Sequence, residues 1–156
     1  MEATKKKRRD VDDFIADVKA KQERKSWRDV IAVHPAADLF PMMSESELRE
    51  LGEDIKKNGM RIPITFLGLG GDVAALLDGR NRLDAMELAG IDIFTDDKFS
   101  KQVRWNIWLP EKQIDPYDYV LSANVHRRHL TTQQKRELVA KVIKAKPELS
   151  DRADCD

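Results

Sequence analysis

The chain holds a single cysteine, Cys155, next to its end. One thiol can form neither a disulfide within the chain nor a cysteine zinc cluster, which suits a reducing cytoplasm. Long apolar runs are missing too. The longest, Val73 to Leu77, falls far short of the roughly 20 residues of a membrane-spanning helix, so no membrane partner is expected. The N-terminus is charged with no apolar stretch behind it, so no secretory signal is expected and the location should be cytoplasmic. Net charge is also absent, with Lys+Arg and Asp+Glu at 28 each. That excludes a uniformly basic coat, so any affinity for nucleic acid must come from a local patch. There is no G-x-S-x-G and no Walker loop. The glycines of Gly68-Leu69-Gly70-Gly71-Asp72 do not fit G-x-G-x-x-G and read as a turn.

What is present is a core former. Of 156 residues 41% are hydrophobic and 36% charged, enough for one domain or a domain with a small appendage. Three stretches are expected: a basic tail and helix over 1–26, an α+β core over 27–109, and a helical segment over 110–156. The tail opens with Lys5 to Arg9, readable as a phosphate-touching arm or as a solvated end. Residues 10–25 read as a helix, with Val11, Phe14, Ile15 and Val18 at helical spacing. Asp10, Asp12 and Asp13 lead it and Lys19, Lys21, Arg24 and Lys25 trail, a polarity that suits the helix dipole. Trp27 to Val33 reads as a strand, followed by a turn at His34-Pro35. Ser44 and Glu47 form a capping box for a helix stopped by Asn58-Gly59. Pro63 to Leu67 and Val73 to Leu77 form a hairpin, the second strand apolar on both faces and so expected in a central, covered position. A helix with Leu83, Met86 and Ala89 on its buried side ends at Gly90. Residues 102–109 alternate, with Val103, Trp105, Ile107 and Leu109 on one face, as in a strand. Two helices follow over roughly 115–129 and 132–146, capped by Asp115-Pro116 and by Thr131 with Gln134.

Two constellations could carry chemistry. The first is Asp78-Gly79-Arg80-Asn81-Arg82, where an apolar strand turns through glycine into a helix. Such a turn aims free N–H groups and the positive end of the helix dipole at one point, and two forked guanidiniums suit phosphate oxygens. The alternative is that Arg80 and Arg82 pair with acidic neighbours such as Asp78 or Asp84. The second is Asn124-Val125-His126-Arg127-Arg128-His129. Asn124 shares the inward face of its helix with Tyr117, Val120 and Leu121 and needs polar partners there, or serves as a structural cap. His126 and His129 make only half a metal site, so a basic surface is the better reading. Arg127, Arg128, Lys135, Arg136 and Lys141 belong to a segment with one acid, Glu137. It can follow a nucleic-acid backbone or form the wet side of an amphipathic helix.

The order of these motifs, from His34-Pro35 through Lys56-Lys57-Asn58-Gly59, Ile62-Pro63-Ile64 and Leu76 to Ala85 to Asn124 to Thr131, resembles the N-terminal domain of the ParB family. This is a branch of the ParB/sulfiredoxin superfamily, and the likeness covers about residues 27–146. The resemblance implies a compact α+β domain, a small mixed sheet packed with helices. It implies binding of a nucleoside triphosphate, CTP favoured and ATP the alternative, with Mg2+. It also implies DNA as a partner, through a helix-turn-helix that begins at Leu149 to Ala153 and is cut short here. Plasmid or chromosome partition is the family's setting. On this likeness Gly79, Arg80, Asn81, Arg82, Asn124, Arg127 and Arg128 hold the phosphates, and Asn124 meets the magnesium that comes with the nucleotide. Arg80 stands where the family commonly has an acid, and Ala123 where it has the metal-holding Glu. The sulfiredoxin cysteine is missing from the turn, which argues against that chemistry. The expected function is therefore a nucleotide-binding regulatory module with weak, nonspecific DNA contact. A weak triphosphatase, phosphotransferase or nuclease is the enzymatic alternative, and a homodimerisation domain the structural one.

Overall fold

The computed structural model describes residues 26–69, 72–96, 98–110, 114–125 and 130–147. Within them the chain is an α+β structure. Helix α1 (Trp27–Val30) leads into a 3-10 turn (Pro35–Leu39) and helix α2 (Glu45–Asn58). Strands β1 (Ile64–Leu69) and β2 (Asp72–Asp78) precede helix α3 (Arg80–Leu88). A small hairpin, β3 (Phe94–Thr95) with β4 (Lys98–Phe99), then leads to β5 (Trp105–Trp108), and helices α4 (Pro116–Val125) and α5 (Thr132–Ala145) follow.

The main sheet has the order β2-β1-β5. β1 and β2 are an antiparallel hairpin, whereas β5 runs parallel to β1 with Ile64 opposite Trp105 and Leu67 opposite Trp108. The sheet separates two apolar clusters. On one side Ile64, Phe66 and Leu76 pack with Trp27, with Leu48 and Ile55 of α2, and with Leu83 and Met86 of α3. On the other, Leu67 and Leu77 pack with Ala36, Leu39 and Phe40 of the 3-10 region, Val120 of α4 and Leu138 of α5. Adjacent residues Leu76 and Leu77 thus serve opposite cores, as strand alternation requires.

Three expectations need correction. Trp27 to Val33 is not a strand: Ser26 caps a four-residue helix, and only Val33 reaches the sheet, as a parallel bridge to Leu76. In that turn Trp27 is fully buried and Ile31 packs on the same core, while Val30 is 56% exposed. β2 is not the central strand; β1 is, buried along all but its last residue. Val73 is 51% exposed, whereas Leu76 and Leu77 are covered. In the 102–109 stretch the strand is only Trp105–Trp108; Val103 before it is buried, whereas Trp105, Ile107 and Leu109 are 49%, 43% and 63% exposed. Trp108 packs on the other side, stacked on Tyr119 at 4.7 Å.

The capped helices form as their sequences dictate. Ser44 and Glu47 exchange both bonds of a capping box on α2, and Gly59 closes it at φ +77. Thr131 and Gln134 do the same for α5, and the Asp115 carboxylate accepts the Tyr117 N–H at 2.7 Å at the start of α4. Buried Lys146 ties the two helices together, donating to Asp118 at 2.8 Å with Asp115 at 3.6 Å. Burial alone would lower its proton affinity; the bond to Asp118 and the charge of Asp115 outweigh that and raise it. Residues 1–25, with the basic run and the leading helix, lie outside the described residues, as does the Leu149 to Ala153 segment.

Candidate functional site

Gly79 is the only residue between β2 and α3. Its φ is +120, and a Cβ there would sit 2.4 Å from Cγ2 of Ile64, a fully buried residue of the central strand. Only glycine fits such a turn. Gly79 is also the N-cap of α3, and no side chain caps that helix. Its first turn therefore keeps N–H donors and the positive end of the dipole.

The three side chains that follow are committed inward. Arg80 bonds the Asp38 carboxylate and the Phe40 carbonyl, the latter at 2.9 Å. Burial lowers the proton affinity of this guanidinium, and Asp38 opposes the effect. The pair is lopsided: the Arg80 side chain is 11% exposed and that of Asp38 68%. Asn81 is buried and accepts the Met43 N–H at 3.1 Å, pinning the start of the α2 approach. Arg82 donates to Asp78 at 2.9 Å and to the Pro63 carbonyl at 3.2 Å, and its Nε is buried with no hydrogen-bond partner. Asp84, another candidate partner for the arginines, instead accepts from the Trp27 indole at 2.7 Å and from Arg28 at 2.6 Å.

Asn124 is 1% exposed, and its amide donates to the Val120 carbonyl at 3.0 Å. It lines one small cavity with Asp78, Gly79, Arg80, Ala37, Phe40 and Val120. The two motifs, far apart in sequence, therefore meet at one place. The cavity is about 10 Å3, room for about one water molecule. Anything larger must dock over its mouth or move a wall.

The basic helix contributes to the same place. Lys141 of α5 donates to the main-chain carbonyl of Asp38 at 3.1 Å, so Arg80 and Lys141 converge on the same turn. Lys135 and Arg136 are exposed on α5. Leu138 is buried and Val142 partly so, whereas Val139 and Ile143 remain exposed. Arg127 and Arg128 lie outside the described residues. Among the described residues no three His, Cys, Asp or Glu side chains come together as a metal set, and no helix is long and apolar enough to cross a membrane.

Asp38 is the residue that sequence reading missed. Its partner Arg80 is 42 positions away, so no local spacing announces it. His34 positions it. The His34 Nδ1 accepts the Ala36 N–H at 3.1 Å and caps the 3-10 turn, with the ring edge-on to Tyr117 at 5.8 Å. Burial lowers the His34 pKa below 6.5, opposed by Asp115. The neutral ring is thus favoured in the folded state. The stability it brings is complete above about pH 6.5 and is lost as pH falls through that value towards the lower folded pKa. Thermal unfolding should show the midpoint falling between about pH 7.5 and about pH 5.5. His34→Asn, which keeps a cap acceptor but cannot titrate, should flatten that fall; an unchanged slope would remove His34 as its cause.

Compared with known protein families and with curated proteins, the chain matches none of them.

Proposed function

We propose that this chain is a nucleotide-binding regulatory module of a DNA-associated, ParB-like protein, taking a nucleoside triphosphate over the Gly79 turn. CTP is the favoured ligand and ATP the alternative. The observation that carries the reading is the meeting of the uncapped α3 N-terminus, Arg80 and Asn124 at one cavity, with Lys141 beside them. An exposed carboxylate already sits on the Arg80 guanidinium. In this reading Asp38 is a stand-in for a phosphate oxygen. A triphosphate brings more charge than one carboxylate and displaces it, and Asp38 can rotate into water at little cost because it is mostly exposed. The side-chain-free Gly79 lets the phosphates approach the helix N–H groups. Magnesium fits only as an ion carried in by the nucleotide, since it keeps waters and phosphate oxygens as ligands and needs few from the protein. Asn124 is the residue that the ParB resemblance assigns to it. DNA contact would come from exposed Lys135 and Arg136, with the Arg127-Arg128 pair and the 5–9 run, and would be nonspecific and salt-dependent.

The test is a calorimetric screen of the four ribonucleoside triphosphates with and without magnesium. CTP should bind most tightly. Asp38→Asn removes the competing carboxylate charge and should tighten binding by about fivefold, whereas Arg80→Gln should weaken it by about tenfold or more. No binding of any triphosphate, to the wild type or to Asp38→Asn, would end the proposal.

A further inference from the structure

Away from the Gly79 turn lies a larger concavity of about 680 Å3. It shares no residue with the small cavity at that turn, and the two lie on opposite sides of the sheet. Phe66 in its wall belongs to the first apolar cluster, whereas Leu77 beside the turn belongs to the second. Four rings dominate the larger site, with Phe99 in the middle. Phe94 stacks on Phe99 at 5.4 Å with 21° between the planes. Phe66 and Trp105 lie at 5.8 Å and 6.4 Å from it, each tilted by 40°. Phe66 is buried, and Phe94 and Phe99 pack against the same core, so these rings are held in place. Val30, Val73 and Trp105 are each about half exposed and leave the concavity open to solvent.

We propose that this groove binds a small, flat aromatic molecule carrying one negative charge. The first argument is size and lining. Small-molecule sites occupy roughly 300–1,000 Å3 and are walled by apolar and aromatic side chains with few polar groups. The second is ring geometry. None of the ring pairs is edge-to-face, so the groove presents ring faces, on which a planar ligand stacks with an offset. The third is charge. Lys98 is the one charged residue lining the groove, it is exposed, and no carboxylate among the described residues pairs with its ammonium. A single carboxylate or sulfonate on the ligand complements it. A cation would be repelled by Lys98, and a polyanion would set its remaining charges against apolar walls with no partner. The site is independent of the Gly79 turn and of the nucleotide reading.

The test is calorimetry on the full chain with naphthoate as the probe. Naphthalenemethanol, which has the same rings without the charge, and decanoate, which has the charge without the rings, are the comparators. Naphthoate should bind saturably at one site per chain and more tightly than either. Lys98→Gln should weaken naphthoate by about threefold, the modest effect of an exposed ion pair, and leave naphthalenemethanol unchanged. Trp105→Ala, at a half-exposed position that the fold should tolerate, should weaken both by about tenfold through the lost stacking. Arg80→Gln should leave naphthoate binding as it is. No saturable binding of naphthoate would overturn the proposal, as would decanoate binding equally well. So would naphthoate binding that is insensitive to Lys98→Gln and Trp105→Ala, or that is lost in Arg80→Gln. Binding that appears only on dilution, as a dimer disappears in light scattering, would also overturn it, since a second copy would then be the occupant.

Discussion

Gly79→Ala is expected to lower the stability of the fold by about 3–5 kcal/mol. Two costs add. Alanine at φ +120 sits where L side chains rarely go, which costs on the order of 1–3 kcal/mol. The new methyl would also lie 2.4 Å from Cγ2 and 2.7 Å from Cβ of Ile64. Ile64 is fully buried in β1, with β2 on one side and β5 on the other, so it has nowhere to retreat. Gly90→Ala is the control. Gly90 also has positive φ, at +69, but nothing lies within 4 Å of the added Cβ. It should lose only about 1 kcal/mol, the conformational part alone. Urea midpoints of both variants separate the clash from the strain. Equal losses would mean that the contact with Ile64 is relieved by a small backbone shift and that the turn is softer than its geometry indicates.

The second large effect belongs to Trp27. Its side chain is fully buried, its indole N–H donates to Asp84 at 2.7 Å, and the Arg28 guanidinium lies over its ring at 4.4 Å. Trp27→Ala should therefore cost about 3–5 kcal/mol through the cavity and the lost burial. Trp27→Phe keeps most of the apolar volume but removes the donor. Asp84 would still hold Arg28, so the charge is not stranded, and the loss should be about 1–2 kcal/mol. The difference between the two variants in chemical denaturation measures packing against hydrogen bonding. If Phe costs as much as Ala, the bond to Asp84 and not the ring's volume holds α1 to α3.

How far the sequence reaches can be judged from particular residues. The boundaries of α2, α5 and the start of α4 follow from caps that are complete within four residues: Ser44 with Glu47, Thr131 with Gln134, and Asp115 with Pro116. The β1–β2 hairpin follows from its glycine-rich link, and the Gly79 turn from an apolar strand running straight into a helical pattern. What was not legible is non-local. Whether β1 or β2 lies in the middle depends on β5 arriving parallel beside β1, a choice that no residue of either strand encodes. The Trp27 segment reads as a strand, yet Ser26 caps a helical turn there and the indole is held by Asp84, 57 positions away. Arg80 and Arg82 read alike, as phosphate donors or as partners of acids such as Asp78 or Asp84, yet the fold separates them. Arg82 is tied to Asp78 and the Pro63 carbonyl, with both side chains of that pair largely buried. Arg80 faces an exposed acid on the 3-10 turn.

In the proposed reading that asymmetry makes Arg80 the cation that exchanges partners and Arg82 a structural one. Arg82→Gln should disturb the fold more than ligand binding, because it removes the one nitrogen, Nη2, that donates to both the Asp78 carboxylate and the Pro63 carbonyl, and with it the buried ion pair. The most direct test is a nitrogen–proton correlation spectrum of the full chain titrated with magnesium CTP. Saturable shifts should appear first at the Gly79, Arg80 and Asn81 amides and at the Asn124 side-chain amide, together with the Asp38 amide as its carboxylate leaves Arg80. Shifts confined to the exposed face of α5, or none at these five positions, would contradict a triphosphate site at the Gly79 turn.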